Sequence, residues 1–253
     1  VRLFHCIVVA ALCAGPLAAQ DISMGGITQS WTSSQLLLNS EKRAWAAPEC
    51  VRDGNWGTAC GAPSTDPAAP RQAEPRTRFT PSAAARQRGF AQMISQMRGA
   101  DPAGAAALER ELAGSDVIGA IGQRLQPLGL RTDDVADAMT VYVMESWEAV
   151  SGRPLPPNRA RVQAVRRQMR IASADVPALA GASDATKQMM AESMLIQAAQ
   201  ISGLAEIARQ QGGTQATQVA DAVRRGCQAT LGLDLRTLDL TDRGLVLRES
   251  GAR

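Results

Sequence analysis

From Thr80 to Leu231 apolar side chains recur at the α-helical period, and start and stop signals fall where that period needs them. Thr80-Pro81 and Asp101-Pro102 each place a capping side chain before a proline suited to the first helical turn. The first is followed by Phe90, Met93, Ile94 and Met97 on one face, the second by Leu108 and Leu112. A short helix carries Val117, Ile118, Ile121 and Leu125 and stops at Pro127 and Gly129. Thr132 is expected to cap a helix over 133–151, with Val135, Met139, Tyr142, Val143, Ser146, Trp147 and Val150 on its apolar arc. Asp134, Asp137, Glu145 and Glu148 are expected to line its opposite, solvated side.

After Pro154–Pro157 a further helix separates Val162, Val165 and Met169 from Arg159, Arg166, Arg167 and Arg170. An acidic stripe followed by a basic one predicts neighbouring antiparallel helices joined by ion pairs. Ser183 opens the longest helix, to Gln211, whose apolar residues fall on two sides: Met190, Met194, Ala198, Ile201, Leu204 and Ala208 on one, Met189, Ile196 and Ile207 on the other. A helix apolar on two sides belongs at the centre of a bundle. Gly212-Gly213 ends it, Thr214 starts a helix carrying Cys227, and Gly232 ends that one. Leu233 to Leu247 alternates leucine with polar residues around Thr241-Asp242-Arg243-Gly244, the pattern of a small hairpin or an extended strap. The expectation is therefore an all-α bundle of about six to seven helices over 79–248, with a short C-terminal strap or mini-hairpin and a disordered tail at 249–253.

The preceding residues have no such period. Arg2, the apolar run Leu3–Ala14, the break at Gly15-Pro16 and the small residues of Leu17-Ala18-Ala19 follow the order of a secretory signal, cut before Gln20. The run is shorter than a bilayer requires, so no transmembrane segment is expected after cleavage of residues 1–19. Residues 20–78, with scattered glycines and serines and a Pro/Ala stretch from Ala62 to Pro75, suggest a mostly disordered arm and linker. Within it one short helix is possible over 33–46, and Trp31, Trp45 and Trp56 are its bulky anchors.

Export also shapes the chemistry. Cleavage would remove the single histidine, His5, and with it any Ser-His-Asp triad, Cys-His pair or imidazole-bound zinc. Among 27 basic residues only Lys42 and Lys187 are lysines, and the formal net charge of +3 against 24 acidic residues suggests ion pairs more than a polyanion-binding surface, so no nucleic-acid partner is expected. In an oxidising compartment Cys50 and Cys60 could close a small loop as a disulfide; Cys227, flanked at helical spacing by Val219 and Val223, is expected to be buried and inert.

Candidate sites are few. Asp133-Asp134-Val135-Ala136-Asp137 spells the aspartate-rich pattern with which terpenoid synthases hold magnesium, but it lies at a helix start, where acidic residues complement the dipole, and capping is the expected role. Glu145 and Glu148, one turn apart, could act as acid and base on a glycan, yet a polar face gives no reason for the burial that raises a carboxyl pKa. Glu192, amid the apolar stripes of the long helix, is better placed for burial, with a structural salt bridge as the expected outcome. Ser183 and Lys187, four apart, are expected to be a helix cap and an exposed lysine rather than a dyad. Arg159, Arg166, Arg167 and Arg170 could bind anionic envelope material. No metal site and no cofactor are expected.

Asp134-Val135-Ala136-Asp137-Ala138 with Trp147 on one helix, Ala191-Glu192 on the long helix, and Leu240-Thr241-Asp242-Arg243-Gly244-Leu245 near the end together resemble a family of secreted proteobacterial proteins known only as a domain of unknown function. The resemblance spans about 79–247, including Phe79 ahead of Pro81-Ser82, and departs from the family pattern at Val143 and Gly244-Leu245. It implies export and helicity and brings no activity. The function expected is that of a non-catalytic exported protein, periplasmic or secreted, binding a protein or envelope component between its helices. The alternative is a hydrolase acting on envelope polymer through Glu192, Glu145 or Glu148.

Overall fold

A computed structural model describes residues 77–248, except 157 and 175. The leader, most of the arm, the 33–46 helix, the tryptophans of the arm, Cys50 with Cys60, and the 249–253 tail lie outside the described residues. Among those described there are eight α-helices: α1 (Ala83–Arg98), α2 (Pro102–Gly114), α3 (Val117–Leu125), α4 (Val135–Ser151), α5 (Arg159–Ala174), the single turn α6 (Pro177–Ala180), α7 (Asp184–Gln211) and α8 (Gly213–Leu231). A two-stranded antiparallel hairpin follows, β1 (Leu238–Thr241) and β2 (Gly244–Leu247), with Leu238 opposite Leu247 and Thr241 opposite Gly244. The chain is thus the helical bundle with a C-terminal mini-hairpin that the periodicity implies.

The centre of the bundle is α4 packed along α7, the most extensive pairing of elements. The first stripe of α7 makes most of this contact, with Met190, Met194, Ala198 and Ile201 buried; of the second stripe Ile196 is buried while Met189 and Ile207 are half-buried. On α4 burial extends from Val135 to Val143 without interruption and takes in Tyr142 and Trp147, so this helix has no solvated side over its first half. α5 and α8 cover other faces of α4, and α1 lies on α7. Ile94, Met97 and Ala105 form a small second core where α1 folds back on α2.

Several start signals work one or two residues from the expected place. The Ser82 hydroxyl, rather than Thr80, caps α1 by accepting from Ala85 N at 3.4 Å. Thr80 N is instead held by the Asp184 carboxylate at 3.0 Å and Ser82 N by Gln188 at 2.8 Å, which keeps the segment extended up to the helix. Asp134, rather than Thr132, caps α4, its Oδ1 accepting from Ala136 N at 3.0 Å. The strand-like segment before α1 explains that shift: Phe79 N donates to Asp133 O and Val135 N to Thr77 O, so the chain ahead of α4 is extended through Asp134. Likewise α8 starts at Gly213, one residue before Thr214. Asp101, Asp116 and Ser183 cap α2, α3 and α7 through bonds from Gly104, Gly119 and Thr186.

The hairpin is joined to the helices by side chains that act as backbone. Gln168 of α5 is buried and donates to Leu245 O at 2.9 Å while accepting from Leu245 N at 2.8 Å, the two bonds a third strand would make. Trp147 Nε1 donates to Leu238 O at 2.9 Å, satisfying both a buried indole and a strand carbonyl. The Arg153 guanidinium stacks over the Trp147 ring, 4.7 Å from its centroid, and reaches Asp239 of β1 at 2.7 Å.

Gly244, at φ 101°, sits where the clamp leaves no room, since a Cβ there would run into the Gln168 amide. Gly152 also has positive φ, but a Cβ there meets nothing. Gly152→Ala is therefore expected to cost about 1–2 kcal/mol from backbone strain alone, and Gly244→Ala roughly 2 kcal/mol more as the Gln168 bonds break. Urea unfolding of the two variants measures the difference; equal losses would remove the clamp from the account.

Candidate functional site

The acidic residues of α4 are where the structure departs most from the expected solvated stripe. Asp134 and Asp137 are each 0% exposed, and Glu145 is 8% exposed. The cause is the position of α4, which is surrounded by α5, α7 and α8, so that carboxylates opposite its most apolar arc still face a neighbouring helix.

For the two aspartates that neighbour is α5, as the paired stripes imply. Arg166 forks onto Asp137, with Nε at 2.5 Å from Oδ1 and Nη2 at 2.9 Å from Oδ2, and Arg131 N donates to Oδ2 at 2.9 Å. Arg170 Nη2 reaches Asp134 at 3.2 Å. Burial is the largest influence on Asp137 and pushes its pKa up, opposed by the Arg166 fork and the Arg131 amide. Asp133 pairs at 2.7 Å with Arg131, whose hydrogen bond holds that carboxyl below its ordinary value. The three carboxylates of the aspartate-rich segment are thus each joined to an arginine, and no cluster of three or more metal-ligating side chains occurs among the described residues.

The other expected site residues are scattered. Glu192 is buried and accepts from Arg86 of α1 at 2.9 Å and from Gln188 at 3.0 Å, the structural ion pair foreseen for it. Ser183 caps α7, while Lys187, expected to be exposed, is buried where α7 meets the core. Of the four arginines expected to share a face of α5, Arg166 and Arg170 are tied to the start of α4, which leaves Arg159 and Arg167 as the exposed pair. Cys227 is buried, and burial raises its thiol pKa further from reactivity.

Glu145 and Glu148 lie together at a small cleft. Leu128, Leu130, Val141, Met144, Leu155, Pro156 and Val162 form its apolar lining, contributed by the end of the α3 region, by α4, and by the α4–α5 connection with the start of α5. Its free space is about 20 Å³, room for about one water. Glu148 Oε2 accepts from Leu155 N at 3.2 Å, and Arg209 of α7, held to Glu206 at 2.6 Å, approaches Glu148 at 3.9 Å. Glu145 has a different environment: burial and the Glu148 charge push its pKa up to about 8, against the hydrogen bond of the Ser202 hydroxyl on α7. The sequence did carry a signal for this cleft, since Val141, Met144, Glu145 and Glu148 fall at i, i+3, i+4 and i+7 and share a helical face. Leu155, which arrives from the following connection, had none.

Two outcomes follow from these environments. In the folded chain Glu145 keeps its proton to about pH 8, whereas the unfolded chain loses it near 4.5. Rising pH between those values therefore favours unfolding, by on the order of 5 kcal/mol across the window. Glu145→Gln is expected to abolish that decline: little change in urea stability at pH 5, and a gain of a few kcal/mol at pH 8. Parallel curves for variant and parent across this range would contradict the burial. Arg166→Met leaves the Asp137 carboxylate buried without its counter-charge and is expected to cost about 3–5 kcal/mol, measured by urea unfolding at pH 7.

No curated protein matches the chain, and no solved structure matches it. A family model does, described as a family of unknown function (DUF6683), over residues 4–248. The match takes in the aspartate–arginine ties, the cleft and the hairpin alike, and the chain belongs to this family of unknown function.

Proposed function

We propose that the protein is a non-catalytic, exported binding module whose recognition site is the cleft beside Glu145 and Glu148. The observation that carries this reading is the make-up of that cleft, seven apolar side chains beside two carboxyl groups. Elsewhere the charged side chains of the core act on each other: Asp137 with Arg166, Asp134 with Arg170, Glu192 with Arg86. Export rests on the leader pattern of residues 1–19. No helix among the described residues is long and apolar enough to cross a membrane.

A second reading, a carboxylate hydrolase of envelope polymer, draws on Glu145, whose pKa near 8 suits a general acid at neutral pH. Against it stands the size of the cleft, about 20 Å³, where a glycosidase must hold a sugar ring between its two carboxyl groups. Glu192, bonded to Arg86 and Gln188, offers that reading less support still.

The test is to express the full chain, tagged at its C-terminus, in a Gram-negative host with a photoreactive residue at Leu155 on the cleft or at Arg225 on the exposed side of α8. The expected result is a processed chain in the periplasmic fraction or medium and a discrete cross-linked species from position 155 alone. Cytoplasmic retention of the unprocessed chain would defeat the export part, and equal cross-linking from both positions the binding part.

A further inference from the structure

We propose that a single water molecule is bound between α4 and α8, held by the hydroxyls of Tyr142, Ser146 and Thr230. Tyr142 and Ser146 are four apart on α4 and share a face, Thr230 lies on α8, and the two helices pack against each other. Tyr142 and Ser146 have no exposed surface, and Thr230 is 5% exposed. None of the three hydroxyl oxygens has a hydrogen-bond partner among the described residues. They are nevertheless neighbours: burial pushes the Tyr142 phenol well above its ordinary pKa, and Thr230 and Ser146 are the hydroxyls that oppose the rise.

A local alternative is open to two of these side chains and is not taken. A buried serine or threonine in a helix can return its hydroxyl to the carbonyl four residues back. Thr140 on α4 does so, bonding Ala136 O at 2.8 Å, and Ser173 on α5 bonds Met169 O at 2.6 Å. Ser146 and Thr230 leave the carbonyls of Tyr142 and Gly226 alone, so their oxygens are given over to the interface between the helices. Protein interiors almost always satisfy such groups. A water does it with its two hydrogens and two lone pairs, which serve three hydroxyls whichever way each is turned, and about three partners is usual for a buried water. The Cys227 thiol, one turn before Thr230 on α8, adds only a weak donor and acceptor. None of these four side chains carries a charge, so an ion there would lose its hydration with nothing to balance it. The site shares no residue with the cleft beside Glu145 and Glu148.

Tyr142 is the only tyrosine of the chain, so its phenol gives an unobstructed signal. The experiment takes the chain as purified from its expression host and reads two quantities. A rotating-frame spectrum seeks a dipolar cross-peak between the Tyr142 hydroxyl proton and water, whose sign separates it from chemical exchange. Oxygen-17 relaxation dispersion counts the waters held inside the protein for longer than it tumbles. The expected result is that cross-peak in the parent, and one long-lived water fewer in Tyr142→Phe and in the double variant Ser146→Ala, Thr230→Val. Urea unfolding verifies that the variants are folded; if one is not, the cross-peak of the parent decides. A Tyr142 hydroxyl with no cross-peak to water, or one coupled directly to the Ser146 or Thr230 hydroxyl, would overturn the proposal. An equal number of long-lived waters in the parent and in the folded variants would overturn it as well.

Discussion

The structure depends on one constraint, the enclosure of α4. A helix surrounded by α5, α7 and α8 cannot hydrate any polar residue over most of its length, so each must find a partner inside the protein or change its protonation. The residues of α4 divide according to which solution is available. Asp134 and Asp137 meet arginines one turn apart on α5 and form a two-rung ladder between the helices. Trp147 finds a strand carbonyl. Tyr142, near Ser146 and Thr230, is the exception, since these three buried hydroxyls make no hydrogen bond among the described residues. Glu145 meets a hydroxyl and another carboxylate, and protonation is what remains to it.

Read this way, the hairpin and the extended segment at 77–79 complete the enclosure. β2 closes over α5 through Gln168, and the backbone of Thr77 and Phe79 pairs with that of Val135 and Asp133 at the start of α4. Each uses backbone hydrogen bonding to join elements far apart in sequence, so the ends of the described chain are fixed to its central helices.

Much of the fold was legible because its signals are local. Caps at Asp101 and Ser183, the stop at Gly232 and the turn at Asp242-Arg243 are set by neighbours within a few residues. The pairing of the α4 aspartates with the α5 arginines was legible too, since two stripes of opposite charge on consecutive helices have few other arrangements. The burial of Glu145 was not. A helix pattern gives the direction in which a side chain points and leaves open whether another helix stands there, and that depended on α7 lying along α4. Lys187 is buried for the same reason, and Thr80 and Thr132 do not cap because the chain at 77–82 and before α4 extends to meet distant partners. The site was half visible: its face could be traced through Val141, Met144, Glu145 and Glu148, while Leu155 becomes part of it only through tertiary folding.

The thiol of Cys227 lies beneath this same packing, with no exposed surface, on the side of α8 that covers α4. An oxidant outside the folded protein meets no sulfur nucleophile there, however concentrated it is, until that helix lifts away. Sulfur chemistry at this position is thus paced by the breathing of the bundle rather than by the redox poise of its surroundings.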